Sequence, residues 1–283
     1  MILSVFVENF GISLALLYHY RDNPVVQRTP VLNIPNRKDL CLCFTTAARE
    51  RYSAIVVNLA ALNLMTINFK NEICQKVTHF IVTDRTCRRT LKFFAALTLG
   101  KWIVTGDWLQ ECYKKRQLVP ESAYEVIGTN YDPVACGPRL WRENNLRLLP
   151  PLFASIHVYC RNLNPNWDKD FKKILQYAGA KFVSREPRSD ADLRSMYDTV
   201  LFHSDPDSPE SKVNFLIMYD SENEHQMKKD AQENGLINKC AVPKRLNTER
   251  IKTVSTFWFF GCLQSFKILP FPDSDPLSDL SDD

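Results

Sequence analysis

The segment RRTLKFFAALTLGK, residues 88–101, places Arg88, Arg89, Thr90 and Lys92 in front of an almost wholly apolar run. Within the run Leu91, Phe94, Ala95 and Thr98 fall at i, i+3, i+4 and i+7, and Gly100 supplies a stop, so the spacing predicts a helix over 89–99. The N-terminus of a helix already carries a partial positive charge and unpaired N–H groups. Cations gathered there repel that charge, and natural helices prefer Asp or Glu in the first turn. The arrangement makes chemical sense when an anion comes to sit at this end.

The elements that must position these residues alternate. LCLCF (40–44) reads as a short apolar strand, 50–63 as a helix, LMTINF (64–69) as a second strand and THFIVTD (78–84) as a third. The helix at 89–99 follows, then the strand KWIVT (101–105) and a closing helix over GDWLQECYKKRQ, expected to be capped by Asp107. Strands that are apolar throughout and alternate with helices indicate a parallel sheet covered on both faces. The order then repeats: SIHVYC (155–160) is a strand, WDKDFKKILQYAGAKFVS a helix, a Gly stop and a strand, NFLIMYD (214–220) a buried strand and SENEHQMKKDAQENG a polar helix. DTVLFHSD competes with 214–220 for the third strand. KWIVTGDWLQEC and IKTVSTFWFFGC share a strand, a small polar residue and a Trp at the start of a last helix, so the chain holds two copies of one domain.

The organisation expected is an N-terminal extension (1–37), a first repeat (38–128), a linker (129–151) with a helical portion at 139–147, a second repeat (152–271) with a polar insertion (185–212), and an acidic tail (272–283). The chain has 283 residues, 45% hydrophobic and 24% charged, which supports two domains with real cores. Its net charge of +4 is too mild to indicate a nucleic-acid binder, so direct nucleic-acid binding is not expected. Nine cysteines without a C-x-x-C pair, most of them in apolar runs, point to reduced, buried thiols, and five scattered histidines offer no metal site. The N-terminal stretch lacks a basic region ahead of its apolar residues, and no segment has the ~18 uninterrupted apolar residues of a membrane span. The expectation is a soluble protein. KKR (114–116) and PKR (243–245) read as solvated faces. Eight glycines in all, no glycine-rich phosphate loop, no nucleophile motif and no paired carboxylates in an apolar setting argue against an enzyme, and no cofactor or small-molecule substrate is expected.

The motifs R-T-L-K-F-F, G-K-W-I-V and the closing-helix Trp108 and Trp258 resemble the tandem BRCT family over about 38–128 and 152–271, with the stronger match in the first repeat. The resemblance implies an α/β fold in which each repeat is a four-stranded parallel sheet flanked by three helices, the two packed in tandem. It also implies a phosphopeptide reader that holds a phosphoserine in the first repeat and the side chain at +3 between the repeats. Carried over position by position, Thr45 supplies a hydroxyl, Thr46 a backbone N–H where the family usually has Gly, and Lys92 an ammonium, with Thr90 beside it. Arg89 would hold the peptide main chain or a free terminal carboxylate, and Phe94, Asn164, Pro165 and Phe260 would line the +3 groove. A phosphoserine carries about −1.5 to −2 charges near neutral pH and three acceptor oxygens, which suits a converging hydroxyl, N–H and ammonium. The implied role is an adaptor in the nucleus, at chromatin, reading a phosphorylated protein of Ser-Gln type or the tail of the damage-marked histone. The alternative is a docking module that ignores phosphate.

Overall fold

A computed structural model of the chain describes residues 39–62, 66–193, 202–204, 207–226 and 245–272. The first repeat runs β1 (Asp39–Phe44), α1 (Thr46–Ala61), β2 (Thr66–Phe69), β3 (His79–Val82), β4 (Thr86–Cys87), α2 (Leu91–Thr98), β5 (Trp102–Thr105) and α3 (Asp107–Lys115). A connecting segment holds β6 (Gly128–Thr129) and α4 (Gly137–Leu146). The second repeat follows with β7 (His157–Arg161), α5 (Asp168–Tyr177), β8 (Lys181–Phe182), β9 (Phe215–Tyr219), β10 (Ile251–Ser255) and α6 (Thr256–Ser265). The sheets read β2-β1-β3-β5 and β8-β7-β9-β10, parallel throughout, so both have the order 2-1-3-4 when strands are counted within each repeat.

The central strands are apolar on alternate and intervening positions because helices cover both faces. Leu42, Cys43, Phe80, Ile81, Ile103 and Val104 in the first sheet, and Leu216, Ile217 and Met218 in the second, have no exposed surface. The edge strand β2 is different: its residues are mostly exposed. The repeats also share their closing contact. Trp108 Nε1 donates to the Val119 carbonyl at 3.0 Å, and Trp258 Nε1 donates to the Pro270 carbonyl at 3.0 Å. Cys112 and Cys262, each four residues after its Trp, accept from the backbone N–H of Val119 and Leu269 through sulfur.

Helix α2 joins the repeats. It packs against α5 and α6, and one apolar core runs from Phe93, Phe94 and Leu97 through Phe171 and Ile174 to Phe259 and Leu263. The connecting segment is stitched to both sides. β6 pairs with β4, Val126 N–H donates to Ile103 O at 2.8 Å, and the buried Trp141 donates to Leu263 O at 2.7 Å.

Several expectations change. The helix expected over 50–63 begins at Thr46, because Thr45 caps it. The helix expected over 89–99 begins at Leu91, so Arg88 and Arg89 precede it and Lys92 is its second residue. Asp107 does not cap α3. β5 runs directly into the helix through Gly106, which makes no side-chain cap bond and where a Cβ would strike the Tyr52 ring. Asp107 instead accepts from the Tyr52 hydroxyl at 3.4 Å. The third strand of the second sheet is β9; residues 198–201 of the competing stretch lie outside the described residues. The polar helix is present at 221–226, and its remainder, the N-terminal extension and the acidic tail from 273 also lie outside them. Of the eight described cysteines, all free, Cys136 is exposed and Cys74 and Cys160 are half-buried, so the expectation of buried thiols holds for the other five. Among the described residues no helix is long and apolar enough to cross a membrane.

Candidate functional site

Two helix N-termini meet at the C-terminal ends of the first sheet, where parallel α/β sheets present their ligand crevices. Thr45 closes β1 in extended conformation, and its Oγ1 accepts from Ala48 N–H at 3.2 Å to start α1. Its own N–H donates to Ile81 O at 3.1 Å, which ties the start of α1 to β3. Accepting with one lone pair leaves the Thr45 O–H proton able to donate. Thr46, at the first helical position, is exposed, and its N–H belongs to the turn whose amides have no partner inside the helix. Thr90 does for α2 what Thr45 does for α1, accepting from Phe93 N–H at 3.2 Å. Lys92, exposed, is two residues past that cap, within the first turn of α2.

Thr46 and Lys92 line one cleft of about 360 Å³ together with Arg49, Lys70, Phe44 and Phe69, and among the described residues no carboxylate contributes to its walls. The structure therefore brings Thr46 and Lys92 together, with Thr45 and Thr90 as the caps that set the two helix ends.

The second repeat does not reproduce this cleft. Thr105 pairs with Val82 and Ser255 with Tyr219, each three residues before the closing Trp, and this alignment puts Arg161 in the place of Thr45. Arg161 is buried and ion-paired to Glu186, and the next residue, Asn162, has φ 50° and starts no helix. A guanidinium already holding a carboxylate replaces the capping hydroxyl.

Arg89 lies on the other side of the α2 start, at the junction of the repeats. Its Nε donates to Gln264 Oε1 at 2.9 Å, and its guanidinium sits 4.4 Å from the Tyr131 ring centroid and 4.9 Å from that of Phe257. Thr129 Oγ1 donates to the same Gln264 oxygen at 2.6 Å. Burial lowers the Arg89 pKa, opposed by Tyr131 and Asp132, yet a guanidinium remains charged at any physiological pH. Its Nη1 is shielded from solvent and has no hydrogen-bond partner among the described residues.

The remaining expected residues are placed less openly. Phe94 is only 1% exposed and stacks on Phe260, ring centroids 4.3 Å apart, so it forms a floor beneath Phe260 and not an open groove wall. The physical reason is the apolar seam between repeats, where Phe171 also packs edge-on with Phe260. Asn164 shapes the turn into α5, its carbonyl accepting from Asp168 N–H at 3.0 Å and its side chain from Asn166 N–H at 2.9 Å. Pro165 is exposed beside it. Sequence reasoning missed Tyr131, Phe257 and Gln264. Phe257, Phe260 and Gln264 stand at i, i+3 and i+7, one face of α6, and that periodicity was the available signal.

Two parallel α/β repeats share a helical seam, and each is closed by a Trp-bearing helix. The model of the BRCA1 C Terminus (BRCT) domain matches residues 37–113, so the first repeat is a BRCT domain, and the second repeats its strand order. The chain is 27% identical over 264 residues to the mouse BRCA1-associated RING domain protein 1, covering 91% of this chain and 31% of that protein. It is 33% identical over 123 residues to the bovine PAX-interacting protein 1, covering 41% and 12%. The chain thus spans about three tenths of the length of the mouse relative. Among solved structures, the BRCT5–BRCT6 domains of S. pombe Brc1 align with TM-score 0.48 and 17% identity over 81% of this chain and 93% of that one.

Proposed function

We propose that the chain is a non-catalytic adaptor of the DNA damage response that reads a phosphoserine through its first repeat. The observation that carries this reading is the cleft shared by Thr46 and Lys92 at two helix N-termini, walled by cations and free of carboxylates. A dianionic phosphate there takes the Lys92 ammonium, the Thr46 N–H and the Thr45 hydroxyl, while both helix ends add favourable partial charge. Thr46 keeps the N–H that the usual Gly would offer, and its exposed side chain leaves the cleft open. Arg89 takes the peptide main chain or a free carboxylate at +3, beside Phe260, Asn164 and Pro165. The ligand is a Ser-Gln type sequence of a nuclear protein, with the tail of the damage-marked histone as the leading candidate, and the adaptor works at chromatin.

A second reading, docking of a partner without phosphate, draws on the burial of Phe94 under Phe260 and on the exposed rings of Tyr131 and Phe257 at 69% and 58%. Fluorescence anisotropy separates the two. One Ser-Gln-Glu-Tyr peptide is compared as phosphorylated free acid, phosphorylated amide and unphosphorylated free acid, against the native chain and Lys92→Glu. Phosphate-dependent binding lost by at least about 100-fold in Lys92→Glu, with unchanged melting, supports the phosphate reading. Equal affinity for phosphorylated and unphosphorylated peptide would favour docking.

A further inference from the structure

Arg49, Lys70 and Lys92 line the cleft, and Arg88 stands two residues before the Thr90 cap of α2. All four are exposed, and none holds a carboxylate among the described residues. Elsewhere exposed cations are paired: Lys115 with Glu111, Arg139 with Glu143, Lys212 with Glu249. Unpaired cations at two helix N-termini repel one another and the positive ends of the helices. The opposite charge is concentrated at the other end of the chain. Residues 273–283 read DSDPLSDLSDD, with five aspartates and no cation, so the net charge of +4 becomes +9 for the residues before them.

We infer that the acidic segment 273–283 docks on the cationic cleft of the first repeat and competes there with the phosphopeptide. Its root lies close enough. Phe271 stacks on Trp258, ring centroids 5.1 Å apart, and the Pro270 carbonyl accepts from the Trp258 indole at 3.0 Å. Phe257, the neighbour of Trp258 in α6, meets the Arg89 guanidinium at 4.9 Å, and Lys92 follows Arg89 by three residues. Each step from Phe271 to Lys92 is therefore a ring contact or a short separation in sequence. Eleven residues reach at most about 36–40 Å, enough to carry the aspartates past Arg89 to Lys92. The second repeat has a hollow lined by Arg161, Arg185, Arg188 and Arg245, but Glu186 lines it too and pairs with Arg161, and Glu224 pairs with Arg245. The first cleft has no such internal anion, so the segment favours it. The inference rests on the phosphate reading for what the segment competes with, and on the unpaired cations for the contact itself.

The test compares the full chain with a full-length variant carrying Asp273→Asn, Asp275→Asn, Asp279→Asn, Asp282→Asn and Asp283→Asn. A zero-length carbodiimide crosslinker joins carboxylates to lysine amines that touch them. Peptide mapping of the monomer should place aspartates of 273–283 on Lys92 or Lys70, and the link should fade in about 0.5 M salt, where exposed charges are screened. Anisotropy with the phosphorylated Ser-Gln-Glu-Tyr peptide should show the variant binding about fivefold tighter at about 50 mM salt, because a tethered competitor acts at an effective concentration on the order of mM. The gap should close in about 0.5 M salt. No link to Lys70 or Lys92, or links only to lysines elsewhere, overturns the inference. Equal peptide affinity in the two chains at low salt also overturns it and leaves the phosphate reading standing. Links to Lys92 or Lys70 with no phosphopeptide bound by either chain uphold the contact and sink the phosphate reading instead.

Discussion

At the scale of single residues, Arg89, the proposed clamp of the first repeat, is held by the second. Gln264 is buried, and its one side-chain oxygen accepts from both Arg89 and Thr129. A hydrogen bond from a charged donor contributes about 1.5–3 kcal/mol, and losing the acceptor leaves two donors unsatisfied. Gln264 touches no expected ligand atom; it is a positioning residue. Gln264→Leu should weaken a phosphopeptide ending in a free carboxylate by about tenfold and narrow its advantage over the amide form. Gln264→Glu keeps an acceptor on the same stem and should restore that advantage. A purely structural role would lower the melting temperature in both variants and leave the acid-to-amide ratio unchanged. Arg89 itself sits against the faces of two mutually perpendicular rings, Tyr131 and Phe257, and lysine in its place would forfeit the fork that meets Gln264.

At the scale of elements, the site depends on where two helices begin. Thr90 fixes α2, a short helix of 8 residues with no acidic residue in its first turn. The cap therefore carries much of what holds the cationic start of that helix in place. Thr90→Ala should cost about 1 kcal/mol of stability, seen as a lower urea midpoint at unchanged m, whereas Thr90→Ser should keep most of it. The period of the apolar run made α2 legible in the sequence, and the Trp spacing made the repeat legible. The start of α1 was not. Thr45 and Thr46 follow a strand without a break, and residues 46–49 carry no strong helical periodicity to mark the turn. Asp107 was misread for a related reason: an acid before a Trp resembles a cap, but the close approach of Tyr52 to Gly106 lets the strand enter the helix directly, and no sequence pattern announces a long-range contact. The same holds for Phe94. Its place on α2 was clear, but whether it met solvent or another ring depended on how Phe260 docks across the seam.

At the scale of the whole molecule, the core that runs without interruption from α2 to α6 ties the two repeats into one folding unit. Each sheet also buries a histidine in a strand: His79, stacked on Trp108 at 4.6 Å, and His157. Burial lowers the pKa of both, and for His157 burial and then Lys181 bring it down to about 4. The unfolded chain takes up a proton at His157 below about 6.5, while the folded chain stays neutral there until pH approaches 4. Stability is therefore full above pH 7 and is lost as pH falls from about 6.5 toward 4, on the order of 2 kcal/mol from His157 alone by pH 5. Urea unfolding followed by tryptophan fluorescence and by circular dichroism should give one coincident transition whose midpoint drops across that window. His157→Gln should flatten the part of the slope that His157 supplies, leaving the contribution of His79. Ligand affinity should fall over the same range for a separate reason, because the phosphate loses its second charge near pH 6. Peptide affinity in His157→Gln separates the two effects: its fall with pH should match the native chain's while its stability profile does not, and a parallel change in both would mean that the histidine, and not the ligand's own charge, sets the acid limit of binding.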